Sequence, residues 1–390
     1  LKTITYKQRL IDVDRSFKHR TQPKKVRKPY KGSPANKITK AEYKPVNEFI
    51  DKATNSGLLR AQHQNNRKNG VVIYLPEVMD FEQHYYSTVL HINAIGQLVS
   101  LINKNGGRVL PRGAYNLASV NFDSLKSIST EAALALTAEI SNWEDTIRNK
   151  LRPSIKKWDD AVYSQFHDLG FFELFENKPD KKPAVNQHAS DKRLVKYQKE
   201  SCNPKGVTKT LKEKLHSLIG SDIDTWTFLH SGLEEAITNV GHHAYPSDCE
   251  HRPKEKCWYL TGSYDVKSKE LKVAFFDQGV GIPNTLQTSK LKERVDQFIA
   301  EVVTKSTVQL EKTLLEAAIE VGRTSTGEPD RGNGLPDLLE FIRKRGNGEL
   351  SIYSSHGFYR LTVEDQKEKK TTSGLALQMQ GTLIVWRVTL

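Results

Sequence analysis

The sequence predicts an α/β protein of two domains, and three observations predict it. Apolar strand-like runs alternate with stretches of helical spacing over residues 70–177, and do so again from 207 to the end. A polar, Lys-rich, proline-broken segment, 178–206, lies between them and reads as a linker. At 390 residues the chain exceeds the usual size of one domain.

Composition narrows the class. Hydrophobic residues make up 37% of the chain, enough for ordinary globular cores. No run approaches the roughly 18 consecutive apolar residues of a membrane helix, and no secretory core opens the chain. A cytosolic protein without a membrane anchor is expected, and the initial Leu1 points to a start that is missing or processed. Three cysteines, an odd count with no C-x-x-C pair, predict reduced thiols. His243, Cys249, His251 and Cys257 match no common zinc spacing, so a polar loop after a helix is the preferred reading.

The formal net charge is +13, and its placement matters more than its size. Residues 15–44 hold eleven Lys or Arg against the single acid Glu42, a local balance of +10. With Pro23, Pro29 and Pro34 and few apolar residues, the segment cannot fold alone, so residues 1–69 read as a basic, Pro-containing arm. Such an arm suits nucleic-acid phosphates or an acidic partner, and equally suits plain solvation.

After the arm, "VVIYLP" (71–76) predicts a buried strand. Tyr85, Val89, Ile92, Val99 and Ile102 recur at helical spacing until "NKNGG" breaks the pattern. "NLASVNF" (116–122) alternates like a strand, and "STEAALALTAEI" (129–140) opens on Ser or Thr caps with Glu131 in its first turn. "WDDAVYSQFHDLGFFELF" continues amphipathically to about 175. Strand, helix, strand, helix predicts a small α/β domain over 70–177.

Beyond the linker, Val207, Leu211, Leu215 and Leu218 make a one-sided helix ending at Gly220. Ser221 or Asp222 is the expected cap of the next helix, whose inner face is Trp226, Leu229, Leu233, Ile237 and Val240. That helix reads "LEEAITNVGHHAYP" and sets Glu235, Asn239 and His243 on one face at i, i+4 and i+8, with Glu234 turned away. "KCWYLTGSYDV" and "ELKVAFFDQGVGIP" predict a hairpin ending at Asp277. Helical stretches with Val295, Phe298, Val302 and then Leu310, Leu314, Ala318 fill 287–321, followed by a Gly, Ser and Thr loop, Gly332-Asn333-Gly334, and a helix to Gly346. "ELSIYS", "FYRLTV" and "GTLIVWRVTL" predict three closing strands.

The order of these elements suggests nucleotide chemistry. A carboxylate at a strand end, Asp277, suits the exocyclic amine of adenine, and Gly279 and Gly281 let the backbone approach base and sugar without a Cβ. Gly332 and Gly334 open a helix, where unpaired N–H groups and the dipole favour phosphate. Asn239 offers an amide oxygen to Mg²⁺, and Glu235 one turn earlier is placed to orient or deprotonate the attacking group.

"EEAITNVGHHAYP", "DQGVGIP", "RGNGLPDL" and "GTLIVW", in that order over 207–390, resemble the sequence boxes of the GHKL ATPase superfamily. The wording "EAITNVGHHAY" is most similar to the anti-sigma factor serine kinases. The resemblance implies a sandwich with helices on one face of a mixed sheet, binding Mg²⁺ and ATP under a mobile lid. It implies Glu235 as the catalytic acid, Asn239 as the metal ligand and Asp277 as the adenine reader supported by Gly279 and Gly281. Arg331, Gly332, Asn333 and Gly334 would form the phosphate loop, and Thr382 a second base contact.

Departures from the relatives narrow this further. Eight residues follow Thr382, so a transducer domain with its catalytic lysine is not expected, and no clear phosphoacceptor helix is read ahead of the core, which disfavours a two-component histidine kinase. Residues 287–321 are longer than a compact anti-sigma kinase needs. In the first domain "LASVNFDSLKSISTEAALALTAEI" resembles the strand, loop and helix of STAS domains, where a Ser or Thr at the helix head is phosphorylated. Ser127, Ser129 and Thr130 occupy that neighbourhood, although a plain helix cap explains Ser129 or Thr130 as well. The expected activity is Mg-ATP turnover or phosphoryl transfer that switches a protein partner, with a homodimer left open. The alternative is a nucleotide-gated nucleic-acid binder using the 15–44 arm.

Overall fold

The computed structural model describes residues 38–63, 69–106, 110–179, 192–201, 207–246, 256–286, 307–322 and 335–390, with a few positions before 13. It is a mixed α/β structure. The first half runs α1 (Lys40–Asn55), β1 (Ala61–His63), β2 (Gly70–Tyr74), β3 (Val78–Met79), α2 (Tyr85–Lys104), β4 (Asn116–Asn121), β5 (Ser127–Ile128), α3 (Thr130–Ser141), α4 (Asp145–Lys150) and α5 (Asp160–Leu169). The second runs β6 (Lys192–Leu194), β7 (Gln198–Ser201), α6 (Val207–Ile219), α7 (Trp226–Asn239), β8 (Cys257–Asp265), β9 (Glu270–Asp277), α8 (Ile282–Leu286), α9 (Thr307–Gly322), α10 (Asp337–Arg345), β10 (Gly348–Glu364) and β11 (Lys367–Thr389). Among the described residues no helix is long and apolar enough to cross a membrane.

A small sheet, β1-β2-β4, pairs β2 with β4 in parallel, as a strand–helix–strand connection through α2 requires. The large sheet has the order β10-β11-β9-β8-β6, with β7 also on β8. Its alternation decides what each face meets. Leu271, Val273, Phe275, Trp258, Leu260, Ile384 and Trp386 point to one core, beneath α6, α7 and α10. Ala274, Phe276, Tyr259, Leu383 and Val385 point to the other, which is continuous with α2, α3 and the small sheet.

Helices therefore cover both faces of the large sheet, whereas helices on one face were expected. The sheet is also antiparallel in every described pairing rather than mixed. The cause of the double cover lies in α3. All twelve of its residues are buried, because Ala and Leu occupy every side of "TEAALALTAEIS" and leave no polar stripe for solvent. Residues 70–177 thus share a core with the second half of the chain.

Three further expectations change. Within the basic arm, Val46, Phe49, Ile50 and Ala53 form a stripe that packs α1 on the core, hidden in sequence by the surrounding lysines. Within the 178–206 linker, β6 and β7 pair successive parts of β8, their Lys and Arg residues being usual chemistry for an edge strand. Two closing strands replace three: "ELSIYS" and "FYRLTV" are one strand, β10, joined through a bulge at Ser355 where the register on β11 shifts. Thr225, not Ser221 or Asp222, precedes α7.

The faces of α3 and the large sheet also meet through polar groups. Lys272 of β9 lies 3.4 Å from Glu131 of α3, which is 3% exposed. Lys192 stands near both, its ammonium held below the ordinary lysine range by burial and by Lys272. Glu131→Ala is expected to destabilise the protein by about 3–5 kcal/mol by stranding Lys272, while Glu131→Leu with Lys272→Met restores most of that loss. Denaturant midpoints of the two variants check this.

Candidate active site at the open end of the central strand

β9 ends at Asp277, and the register places Thr382 of β11 directly beside it, followed by Ser354 of β10. All three share the face that meets α7. Asp277 is 4% exposed and accepts the backbone N–H of Gly279 at 2.8 Å. Thr382 supports the same carboxylate through its backbone and side chain, and its hydroxyl lies 2.9 Å from that of Ser354. Burial nonetheless dominates and pushes the Asp277 carboxyl up to about 7, the hydrogen bonds opposing it.

The two glycines after Asp277 are both needed sterically. A Cβ on Gly279 would sit 2.3 Å from the carbonyl oxygen of Ala244, because the chain after α7 runs directly against this turn. Gly281 has φ +85°, a left-handed conformation, and a Cβ there would meet Ser355 Oγ at 2.6 Å. The contact with Ala244 joins two sequence boxes: Val280 donates to the Ala244 carbonyl at 2.9 Å. Tyr245 adds a second tie, donating to the Cys257 carbonyl and accepting from Gln278 N–H. The π turn Val240–Ala244, which continues α7, makes this approach.

On α7, Asn239 Nδ2 donates to Glu235 Oε1 at 2.8 Å, as i, i+4 spacing allows. This leaves the Asn239 amide oxygen available as an acceptor. Burial pushes the Glu235 carboxyl above the ordinary range, with the nearby Asp337 charge adding to it, while Asn239 and His242 pull the other way. Asp337 was not foreseen; it opens α10 and accepts from Ser231 Oγ at 3.1 Å. Trp386 Nε1 donates to the Leu338 carbonyl at 2.8 Å and locks that helix start beside α7.

Glu235 and Asn239 are therefore together, as are Asp277, Gly279, Gly281 and Thr382, and the Ala244–Val280 contact links the two sets. Arg331, Gly332, Asn333 and Gly334 lie outside the described residues, as do Cys249, His251, residues 15–37 of the basic arm and 287–306 of the expected lid. Among the described residues no group of three or more His, Cys, Asp or Glu is placed to hold a metal by itself. The Glu235 carboxylate and the Asn239 amide oxygen are hard oxygen donors, a set that fits Mg²⁺ only with water and phosphate completing its shell.

Ser354 and Asp337 were missed for different reasons. Ser354 gains its place only through strand pairing, where its hydroxyl donates to the Gly381 carbonyl at 3.4 Å and accepts from Ile282 N–H at 2.8 Å. Asp337 had a weak signal, an acid in the first turn of the helix after the glycine pair.

Ser127, Ser129 and Thr130 are not equivalent. Ser129 caps α3, accepting from Ala132 N–H at 3.2 Å, and Thr130 is fully buried, 2.9 Å from Ser263 Oγ on the large sheet. Only Ser127 of the three is exposed.

No protein-family model matches the chain, and no curated protein matches it.

Because folding raises the Asp277 value from the ordinary 3.8, the protein takes up a proton there on folding. Its contribution to stability is full below about pH 4 and is lost as pH rises towards 7, at up to about 1.4 kcal/mol per pH unit. The stability of Asp277→Asn relative to the parent is expected to rise with pH from about 4 to about 7, by up to about 1.4 kcal/mol per pH unit, and to level off above that, as read from urea unfolding at each pH. Gly279→Ala, at any pH, is expected to lose about 2 kcal/mol or more through its contact with Ala244.

Proposed function

We propose that this chain binds Mg-ATP between α7 and the Asp277 end of the sheet, and uses turnover or transfer of the γ-phosphoryl group to switch a protein partner in the cytosol. The observation that carries the reading is the juxtaposition of Asp277 with Thr382 on the face that meets the Glu235–Asn239 helix. In this reading the second half is a GHKL-type nucleotide module and residues 70–177 a STAS-like companion packed on its rear face.

Each residue has a role set by its surroundings. The ionised Asp277 carboxylate accepts the adenine amine, and Thr382, held beside it, offers a hydroxyl to the base or to a water on it. Gly279 and Gly281 let the turn after Asp277 pack against Ala244 and Ser355, which keeps the carboxylate at the mouth of the site. Asn239 and the phosphates would hold Mg²⁺, which supplies charge neutralisation at the phosphoryl oxygens. Glu235, raised by burial and by Asp337, is suited to take a proton from the attacking water or hydroxyl. The glycine pair at 332 and 334 would contribute the phosphate contacts, and α10, which follows it, is fixed against α7 by Ser231 and Trp386.

Burial of Thr130 and capping by Ser129 disfavour these two as acceptors and leave water, a hydroxyl on the partner, or the exposed Ser127. The +10 stretch at 15–44 supports nucleic-acid binding as the alternative, which a steep salt dependence of binding to unrelated DNA or RNA would establish.

γ-Labelled ATP with Mg²⁺ tests the proposal. Asp277→Ala is expected to weaken ATP binding by about 10–100-fold, and Glu235→Ala to keep affinity within about 3-fold while losing turnover by about 100-fold or more. Failure of the parent protein to bind ATP at millimolar concentration overturns it. Since the ionised Asp277 is the stronger acceptor of the amine, ATP affinity in the parent should rise from pH 6 to pH 8, by up to about 10-fold, followed by calorimetry.

A further inference from the structure

A groove of about 450 Å³ opens between α1, the last turns of α2 and the end of α3, on the sheet face opposite to Asp277. Small-molecule sites occupy roughly 300–1,000 Å³, so the groove is large enough for one. Gln278 lines it, because strand alternation sends neighbouring residues 277 and 278 to opposite sides.

Acceptors dominate the lining. Both α2 and α3 end here, but the last carbonyls of α3 are already bonded, that of Ser141 to Arg148, so the acceptors left to the groove are side chains. Glu139, 8% exposed, accepts from Gln278 Nε2 at 3.1 Å and from Trp143 Nε1 at 3.4 Å. Asn103 Oδ1 is buried with no hydrogen-bond partner among the described residues, a costly state for an amide oxygen. The cation in the lining, Lys104, is exposed and lies near the Glu42 carboxylate at the rim. Val46, Val99 and Trp143 supply apolar wall.

Gln278 also belongs to a chain of bonds across the two halves. Its Oε1 accepts from Asn142 Nδ2, Asn142 Oδ1 accepts from Tyr259 OH at 3.0 Å, and Tyr259 OH lies 2.7 Å from Ser141 Oγ. Displacing Gln278 Nε2 from Glu139 would release the residue that directly follows Asp277.

We propose that this groove binds a small molecule carrying a primary amine on an aromatic or apolar body, and that Gln278 transmits its occupancy to the Asp277 site. The ammonium group donates to the acceptors offered by Asn103 and Glu139, and the body lies along Val46 and Trp143. The second half of the proposal rests on the nucleotide reading above; the first does not.

Calorimetry of the full chain with 2-phenylethylamine, and with 2-phenylethanol as the neutral counterpart, tests the groove. One saturable site is expected for the amine, with the alcohol at least ~10-fold weaker. Asn103→Leu, which removes the unpaired acceptor, and Val46→Trp, which blocks the groove from the less buried α1 side, should each weaken the amine by ~10-fold or more, circular dichroism verifying the fold. Equal binding of the two probes, or amine binding indifferent to both variants, overturns the site. Repeating the ATP titration with saturating amine should change ATP affinity by about 3-fold or more, and Gln278→Leu should abolish that change. An unchanged ATP affinity overturns the coupling. Absence of ATP binding in any condition overturns the nucleotide reading and with it the coupling, while the amine titration still decides the groove.

Discussion

Helix α3 has no side that faces solvent, and its burial sets the position of much of the molecule. A twelve-residue helix of this composition needs apolar surface all around it, and neither the small sheet nor α2 alone supplies that. The large sheet completes the enclosure by turning Ala274, Phe276 and Tyr259 of β8 and β9 towards it. The polar groups trapped in the same layer then have to find partners across it: Thr130 with Ser263, Ser141 with Tyr259, Glu131 with Lys272. These cross-layer bonds fix the register of helix on sheet, which dispersion contacts alone would leave free to slide.

The same sheet carries opposite chemistry on its two sides. On the α7 side, one buried carboxylate is held by a glycine turn, a threonine and the edge of a serine bulge. On the α3 side, one residue later, an amide is tied to a glutamate and an asparagine. Adjacent residues of a strand end are rigidly opposed, so a shift imposed on one side is felt on the other. The close approach of Ala244 to Gly279 extends that rigidity to the end of α7.

Much of the local structure was legible in the sequence. The strand at 71–74, the helix of Tyr85 to Lys104, the hairpin ending at Asp277 and the apolar face of α7 all follow from periodicity and turn chemistry. The same reasoning placed Asp277 beside its glycines and Glu235 one turn from Asn239. What it could not reach were pairings between distant segments. Ser354 and Thr382 become neighbours only through strand register, and Lys-rich 192–201 becomes strand only because β8 has an open edge to offer. Helix α3 was legible as a capped helix, but the sequence does not say how many layers will cover it. In α1, charge density hid a narrow apolar stripe, since the segment was judged by its average rather than by its face.

The double cover of the large sheet also has a consequence for biogenesis. Helix α3 leaves the ribosome long before β8, β9 and β11, the strands that will enclose it, have been synthesised. Until they arrive, an Ala- and Leu-rich segment has no complete surface to pack on, and the contacts that rescue it are among the most distant in the chain. Until then the nascent first half carries apolar surface that its own residues do not cover. Shielding that surface during synthesis is a requirement separate from the stability of the native state.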